Sequence, residues 1–127
     1  MPATREFFIE RATAYFADVD RFDTEAILSH LTHDVVLEVP TDGVRKEGID
    51  AVRKTYLNRD AAIKESWHGD FEFTGDDADS RLAVRLAVKR TTADGRYAEM
   101  DNLTLLSFRD GKISHICVWM SGENSLT

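Results

Sequence analysis

The sequence predicts an α+β domain in which helices pack on one face of a curved, mostly antiparallel sheet. Three observations carry this. Helix-period apolar stripes occupy the first half of the chain, strand-period alternation fills everything after about residue 64, and two Asp-Gly pairs punctuate the alternating half.

The elements follow in order. Residues 4 to 19 carry Phe8, Ala12, Tyr15, Phe16 and Val19 on one helical face. Asp23 suits the N-cap of a second helix, with Phe22 placed to pack on Ile27 as a hydrophobic staple. Ala26, Ile27, Leu28 and Leu31 give that helix its apolar side. VVLEVP, residues 35–40, reads as a strand ended by Pro40 and a Thr41-Asp42-Gly43 turn. Val35, Leu37 and Val39 share one side of it, so Glu38 is expected to face away from any pocket. From Gly48 a third helix runs with Ile49, Val52 and Tyr56 in phase.

In the second half, WHGDFEF places Trp67, Phe71 and Phe73 on one side of a strand and His68, Asp70 and Glu72 on the other. Leu82, Val84, Leu86 and Val88 alternate with Ala83, Arg85, Ala87 and Lys89. Asp94-Gly95 and Asp110-Gly111 signal two-residue hairpins, because both turn positions need positive φ. With tight turns, Leu103 faces Leu86, Asp101 faces Val88, Leu105 faces Ile116, and Leu103 faces Val118. One side then gathers Val84, Leu86, Val88, Leu103, Leu105, Ile116, Val118 and Met120 around a single acid, Asp101. The other side is half polar but carries Leu106, Phe108 and Trp119, which suggests a homodimer surface on the outer sheet face.

Composition bounds the function. The 127 residues suit one domain, 1–127, and the net charge of -7 argues against nucleic acid and anionic membrane as partners. A single cysteine, Cys117, excludes an intramolecular disulfide, and the N-terminus does not read as a signal peptide. No apolar run is long enough to span a membrane, and a cytoplasmic location is expected. His30, His33, Asp34 and His115 lack ligand spacing such as His-x-x-x-His on a helix, so neither a metal nor a cofactor is expected.

Helix-helix-strand-helix followed by a meander with FRDGKI before its last strand resembles the nuclear transport factor 2-like superfamily, which includes ketosteroid isomerases and SnoaL-like polyketide cyclases. The resemblance implies a cystatin-like α+β barrel with a cone-shaped apolar pocket. YFADVDRFDTEAILSHLTHDVVLEVP and GIDAVRKTY look most like the ketosteroid isomerases. On that likeness the oxyanion tyrosine falls on Tyr15 and a supporting tyrosine on Tyr56, whereas the catalytic base falls on Val39. The protonated aspartate falls near Leu103 to Leu105, where no acid exists. A positioned general base contributes about 10² to 10⁴-fold in rate, or roughly 3 to 5 kcal/mol, so steroid isomerisation is not expected.

Asp101 has two readings. It is a pocket acid with a pKa raised by desolvation, or a rim carboxylate paired with Arg96 or another cation. His68 is expected to be exposed, unless a bulge at Gly69 turns it inward. The expected function is binding of a small apolar carbonyl or hydroxyl compound, with isomerisation, dehydration or cyclisation as the reaction class. Asp101, Tyr15 and Tyr56 would be the catalytic groups. Val39, Trp67, Val88, Leu103, Leu105, Ile116, Val118 and Met120 would line the pocket. The alternative is a non-catalytic ligand-binding or dimerisation module.

Overall fold

The computed structural model describes residues 4–127. Helix α1 (Arg5–Asp20) starts at Thr4, whose side chain accepts from the Phe7 amide, and buries the expected stripe from Phe8 to Val19. Asp23 caps α2 (Thr24–Ser29) by accepting from the Ala26 amide. Phe22 lies under the Arg59 guanidinium, 4.7 Å from its ring centre. Strand β1 (Leu31–Val39) ends in a single 3₁₀ turn at Pro40–Asp42, with Gly43 left-handed at φ 66°. A short strand β2 (Val44–Glu47), unforeseen in the sequence, pairs back on β1 before α3 (Ile49–Ala62). Strands β3 (Ile63–Asp76), β4 (Arg81–Thr92), β5 (Tyr97–Arg109) and β6 (Lys112–Trp119) complete the chain's elements.

One curved, unclosed six-stranded sheet results, in the order β2-β1-β6-β5-β4-β3. Among the described residues, only the β1–β6 pair is parallel. The helices cover its inner face, where Val35, Leu37, Val39, Leu82, Val84 and Ile116 are wholly buried. Phe8 of α1 stacks on Phe108 of β5 with ring centres 4.4 Å apart. Architecture and helix placement therefore agree with the sequence reading.

The register of β5 does not. The Thr92 carbonyl accepts from the Gly95 amide, and the Thr92 amide donates to the Arg96 carbonyl. The β4–β5 loop is thus three residues, Ala93-Asp94-Gly95, with Gly95 at φ 90°. One extra loop residue shifts every pair by one, so Leu86 faces Asn102 and Arg85 faces Leu103. The second turn is the expected two-residue type, with Asp110 and Gly111 at φ 54° and 78°. A bulge then shifts the β5–β6 register, because Phe108 faces Ile113 but Ser107 faces His115. The two shifts cancel for β6, whose Ile116 and Val118 face inward as expected. Of β4, β5 and β6, only β5 is inverted. Met100, Asn102, Thr104, Leu106 and Phe108 point in, while Asp101 and Leu103 are exposed and Leu105 is half-buried.

This inversion has a direct test in chemical unfolding. Leu106 is 0% exposed and Leu103 is 43% exposed. Leu106→Ala is expected to cost about 2–5 kcal/mol in urea, and Leu103→Ala about 0.5 or less. Equal costs would mean that the register is wrong.

Candidate functional site

A cavity of about 60 Å³ lies between the helices and the inner sheet face, under the C-terminal segment. Leu86, Val88, Ile116 and Val118 form its apolar wall, and Met100 and Met120 lie on its side. Tyr15 from α1 and Tyr56 from α3 meet at its floor, hydroxyl to hydroxyl. Burial raises the Tyr15 pKa well above 10.0, helped by Tyr56, and pushes Tyr56 up to about 12. Both phenols therefore stay neutral near pH 7. One donates to the other, which leaves one O–H for a guest.

His68 is the principal change from the sequence reading. A bulge in β3 lies between Gly69 and Glu72, with Asp70 at φ 52°. Before it, His68 pairs with Val88 and turns inward with Ser66; after it, Phe73 pairs with Val84. The bulge thus separates Trp67 from Phe71 and Phe73, which the plain alternation would keep on one side. The His68 ring stacks on Phe16, centres 5.5 Å apart, and lies on the cavity wall. Asp20, the last residue of α1, holds it at two points. The His68 amide donates to Oδ2 at 2.8 Å, and Nδ1 lies 2.5 Å from Oδ1. Ser66 Oγ donates to the same Oδ1 at 3.0 Å. With Nδ1–H committed to Asp20, Nε2 is the nitrogen available to a guest.

Of the expected pocket residues, the structure brings together Tyr15, Tyr56, Val88, Ile116, Val118 and Met120. It leaves out five. Asp101 stands on the outer face, gripped by Arg85 through Nη2 at 2.7 Å and Nε at 3.1 Å. Those bonds lower its carboxyl pKa from the ordinary 3.8, the direction opposite to the one expected of a pocket acid. Arg96, the other partner considered, pairs with Asp94 and Glu123 instead. Leu103 and Leu105 follow Asp101 outward because β5 is inverted. Trp67 is 41% exposed on the outer face, where Lys89 lies over its ring at 5.0 Å. Val39 is inward as expected but sealed in the core, away from the cavity wall.

Sequence reasoning missed Asp20, Arg59, Arg90, Met100, Asn102 and Thr104, and took His68 as exposed. Arg90 left a signal. It continues the column Leu82, Val84, Leu86, Val88 at the same two-residue step, and is buried with it.

On the outer face, Glu38, His115 and Cys117 offer donor atoms within 4.8 Å of one another, the one such metal-ligand grouping among the described residues. Parallel pairing of β1 with β6 sets Glu38 beside Cys117, which sequence spacing cannot reveal. Glu38 faces away from the cavity, as expected, and already bonds His115 Nε2 at 2.5 Å and Arg45 Nη1 at 2.8 Å. Burial and the Glu38 charge raise the Cys117 thiol. A cation there must displace a guanidinium and deprotonate that thiol.

Residues 12–116 match the SnoaL-like domain family, and the chain belongs to it. No curated protein sequence matches. Among solved structures, the fold is similar to that of a candidate polyketide cyclase from Xanthomonas campestris pv. campestris. That match has 20% identity and TM-score 0.82, over 91% of this chain and 90% of that one. It is also similar to a candidate isomerase from Bacillus subtilis, with 14% identity, TM-score 0.83, and 91% and 87% coverage. AusH from Aspergillus nidulans gives 12% identity and TM-score 0.83, over 98% and 92% of the two chains. No helix among the described residues is long and apolar enough to cross a membrane.

The Asp101 assignment is checked by carbon-13 NMR titration. Its midpoint is expected below 3.8, moving back up in Arg85→Ala. The sign follows from linkage. A folded pKa below the unfolded one stabilises above the unfolded value, and that contribution is lost as pH falls through the folded value. A midpoint above 6 would restore the pocket-acid reading.

Proposed function

We propose that the cavity binds a small, mostly apolar molecule and that His68, oriented by Asp20, moves a proton on it. The carrying observation is the 2.5 Å contact between His68 Nδ1 and Asp20 Oδ1, with the ring on the cavity wall. A carboxylate accepting from one ring nitrogen orients the ring and, in the neutral imidazole, leaves the other nitrogen as the proton acceptor. Nε2 takes a proton from carbon beside a carbonyl, and the Tyr15–Tyr56 pair donates a hydrogen bond to the oxygen on which charge develops. Returning the proton to another atom gives isomerisation; losing hydroxide or forming a ring bond gives dehydration or cyclisation. Membership of the SnoaL-like family and the fold shared with a candidate cyclase and a candidate isomerase support this reaction class. The second reading is ligand binding without chemistry, favoured by Val39 at the position where the isomerase resemblance needs a base.

Proton exchange separates the two readings without a known substrate. Small ketones and enones in D₂O, followed by proton NMR, are expected to lose α-protons faster with the protein than without it. His68→Gln should remove about 10² to 10⁴-fold of that rate, and Asp20→Asn a smaller part. A His68→Gln variant as fast as its parent would discard the dyad. A parent that exchanges nothing would favour binding alone.

The outer face supports a homodimer. Leu103 and Trp119, 43% and 36% exposed, lie opposite each other on β5 and β6, and Trp67 is exposed on the same face. Sedimentation is expected to give twice the chain mass for the parent and a monomer for Leu103→Glu combined with Trp119→Glu. A monomeric parent at micromolar concentration would rule the dimer out.

A further inference from the structure

We infer that the cavity holds a carboxylate subsite at Arg90, so that the guest is a small carboxylic acid in its anionic form. The inference rests on the reading of this cavity as the ligand site. Arg90 and Arg59 are only 5% and 4% exposed, and both line the cavity. No Asp or Glu side chain among the described residues lines it. The lining thus carries two arginines and no carboxylate of its own, in a chain of net charge -7.

The two arginines differ in what they still need. Arg59 donates from Nη1 to the Val19 carbonyl at 2.9 Å and to Asp60 Oδ1 at 3.2 Å, and its guanidinium covers the Phe22 ring. It is occupied in joining α3 to α1. Arg90 donates from Nη2 to the Glu123 carbonyl, while its Nε is buried with no hydrogen-bond partner. The Glu123 carboxylate acts on Arg90 at a distance but bonds Arg96, 3.1 Å away. A buried guanidinium donor without an acceptor is costly, and native structures rarely leave one. Burial depresses the Arg90 pKa, the Glu123 carboxylate opposes this, and the Arg59 and Arg96 charges add to the depression.

A carboxylate meets that need. It is planar, accepts from an arginine Nε–H, and carries a single negative charge to set against a guanidinium whose Nε lacks an acceptor. A dianion would be undercompensated, because Arg59 already shares its charge with Asp60. Location supports the same choice. Arg90 pairs with Ser66 in the sheet, and Val88, two residues earlier, pairs with His68. Two residues along a strand span roughly 7 Å. A carboxylate at Arg90 would set the adjoining carbons beside His68, with Leu86, Val88 and Val118 against the hydrocarbon.

The test uses the full chain with methyl-carbon-13 methionine. The chain has three methionines, of which Met100 and Met120 line the cavity. Isobutyrate and isobutyramide share a shape and differ in charge. Isobutyrate is expected to shift the Met100 and Met120 methyls with a Kd at least tenfold below that of the amide. Arg90→Gln is expected to erase the difference while still binding the amide. Inorganic phosphate is expected not to displace isobutyrate. If Arg90→Gln fails to fold, the Arg90 Nε–H resonance of the parent, assigned through bonds, decides. It must move with isobutyrate and stay with isobutyramide. Equal affinity for acid and amide, a preference that survives Arg90→Gln, an unmoved Nε–H, or phosphate binding as tightly as isobutyrate would each overturn the carboxylate subsite. A response to the amide alone would overturn this inference but leave the ligand-site reading standing. Methionine signals indifferent to both compounds would overturn both.

Discussion

The side of β5 that meets the helices is set by one residue in the β4–β5 loop. Gly95 at φ 90° closes a three-residue turn, and that odd count presents Asn102 rather than Asp101 to the cavity. The alternative register would bury Asp101 and Arg109 and exchange Met100, Leu106 and Phe108 for Leu103 and Leu105. Buried charge without a partner costs several kcal/mol, and each large apolar side chain withdrawn from water contributes about 1.5–3. Both effects act in the same direction. The Ser107–Phe108 bulge then re-phases β6, so Ile116 and Val118 still face the helices. The cavity wall depends on these two irregularities together.

Strand β3 uses the same device for a different end. Without its bulge at Asp70 and Phe71, one face could not hold both His68 and Phe73, because positions five apart alternate sides. The bulge allows an ionisable ring and the aromatic packing of Phe71 and Phe73 to share the inner face. Helix α1 meets it with an unfavourable choice. Asp18 and Asp20 sit in its last turn, where the helix dipole disfavours negative charge by about 0.3–1 kcal/mol, and no basic residue accompanies them there. Asp18 is compensated by His30 and Arg21, and Asp20 by Ser66 and His68. A carboxylate kept against the local preference and fully partnered is what a positioned orienting group requires.

These irregularities mark the boundary of what the sequence could convey. Helix stripes, the Asp23 cap, the Gly43 turn and the direction of Glu38 were legible because each depends on residues a few positions apart. So was the tyrosine pair, through the family resemblance. The inner face of β5 was not, since a DG pair fits both a two-residue turn and the last two positions of a three-residue turn with Gly left-handed. The ends of the strand held the answer. Met100 and Phe108 share one phase, and Asp101 and Arg109 the other, so charge at the ends outweighs the tie between Leu103 and Leu106 in the middle. The inward turn of His68 stayed an alternative for the same reason, because a bulge at Gly69 shows only as register against a neighbour.

Electrostatics reconciles an acidic protein with a cavity lined by two arginines. Most of the 23 acidic residues that give the chain its charge are exposed, many paired with arginine at the surface. Their fields decay over about 8 Å in physiological salt. Within the cavity wall, screening is weaker. Opposite unit charges 4 Å apart attract by about 4 kcal/mol at an effective dielectric of 20, against about 1 in water. Arg90, a buried guanidinium short of an acceptor beside the Asp60-paired Arg59, therefore governs the potential felt by a guest more than the net charge does. The global charge acts on approach, by slowing anions from bulk solution. Arg90 acts on retention. A site built this way discriminates among small apolar molecules by whether they end in a negative charge, and the apolar wall of Leu86, Val88, Ile116 and Val118 alone has no means of making that distinction.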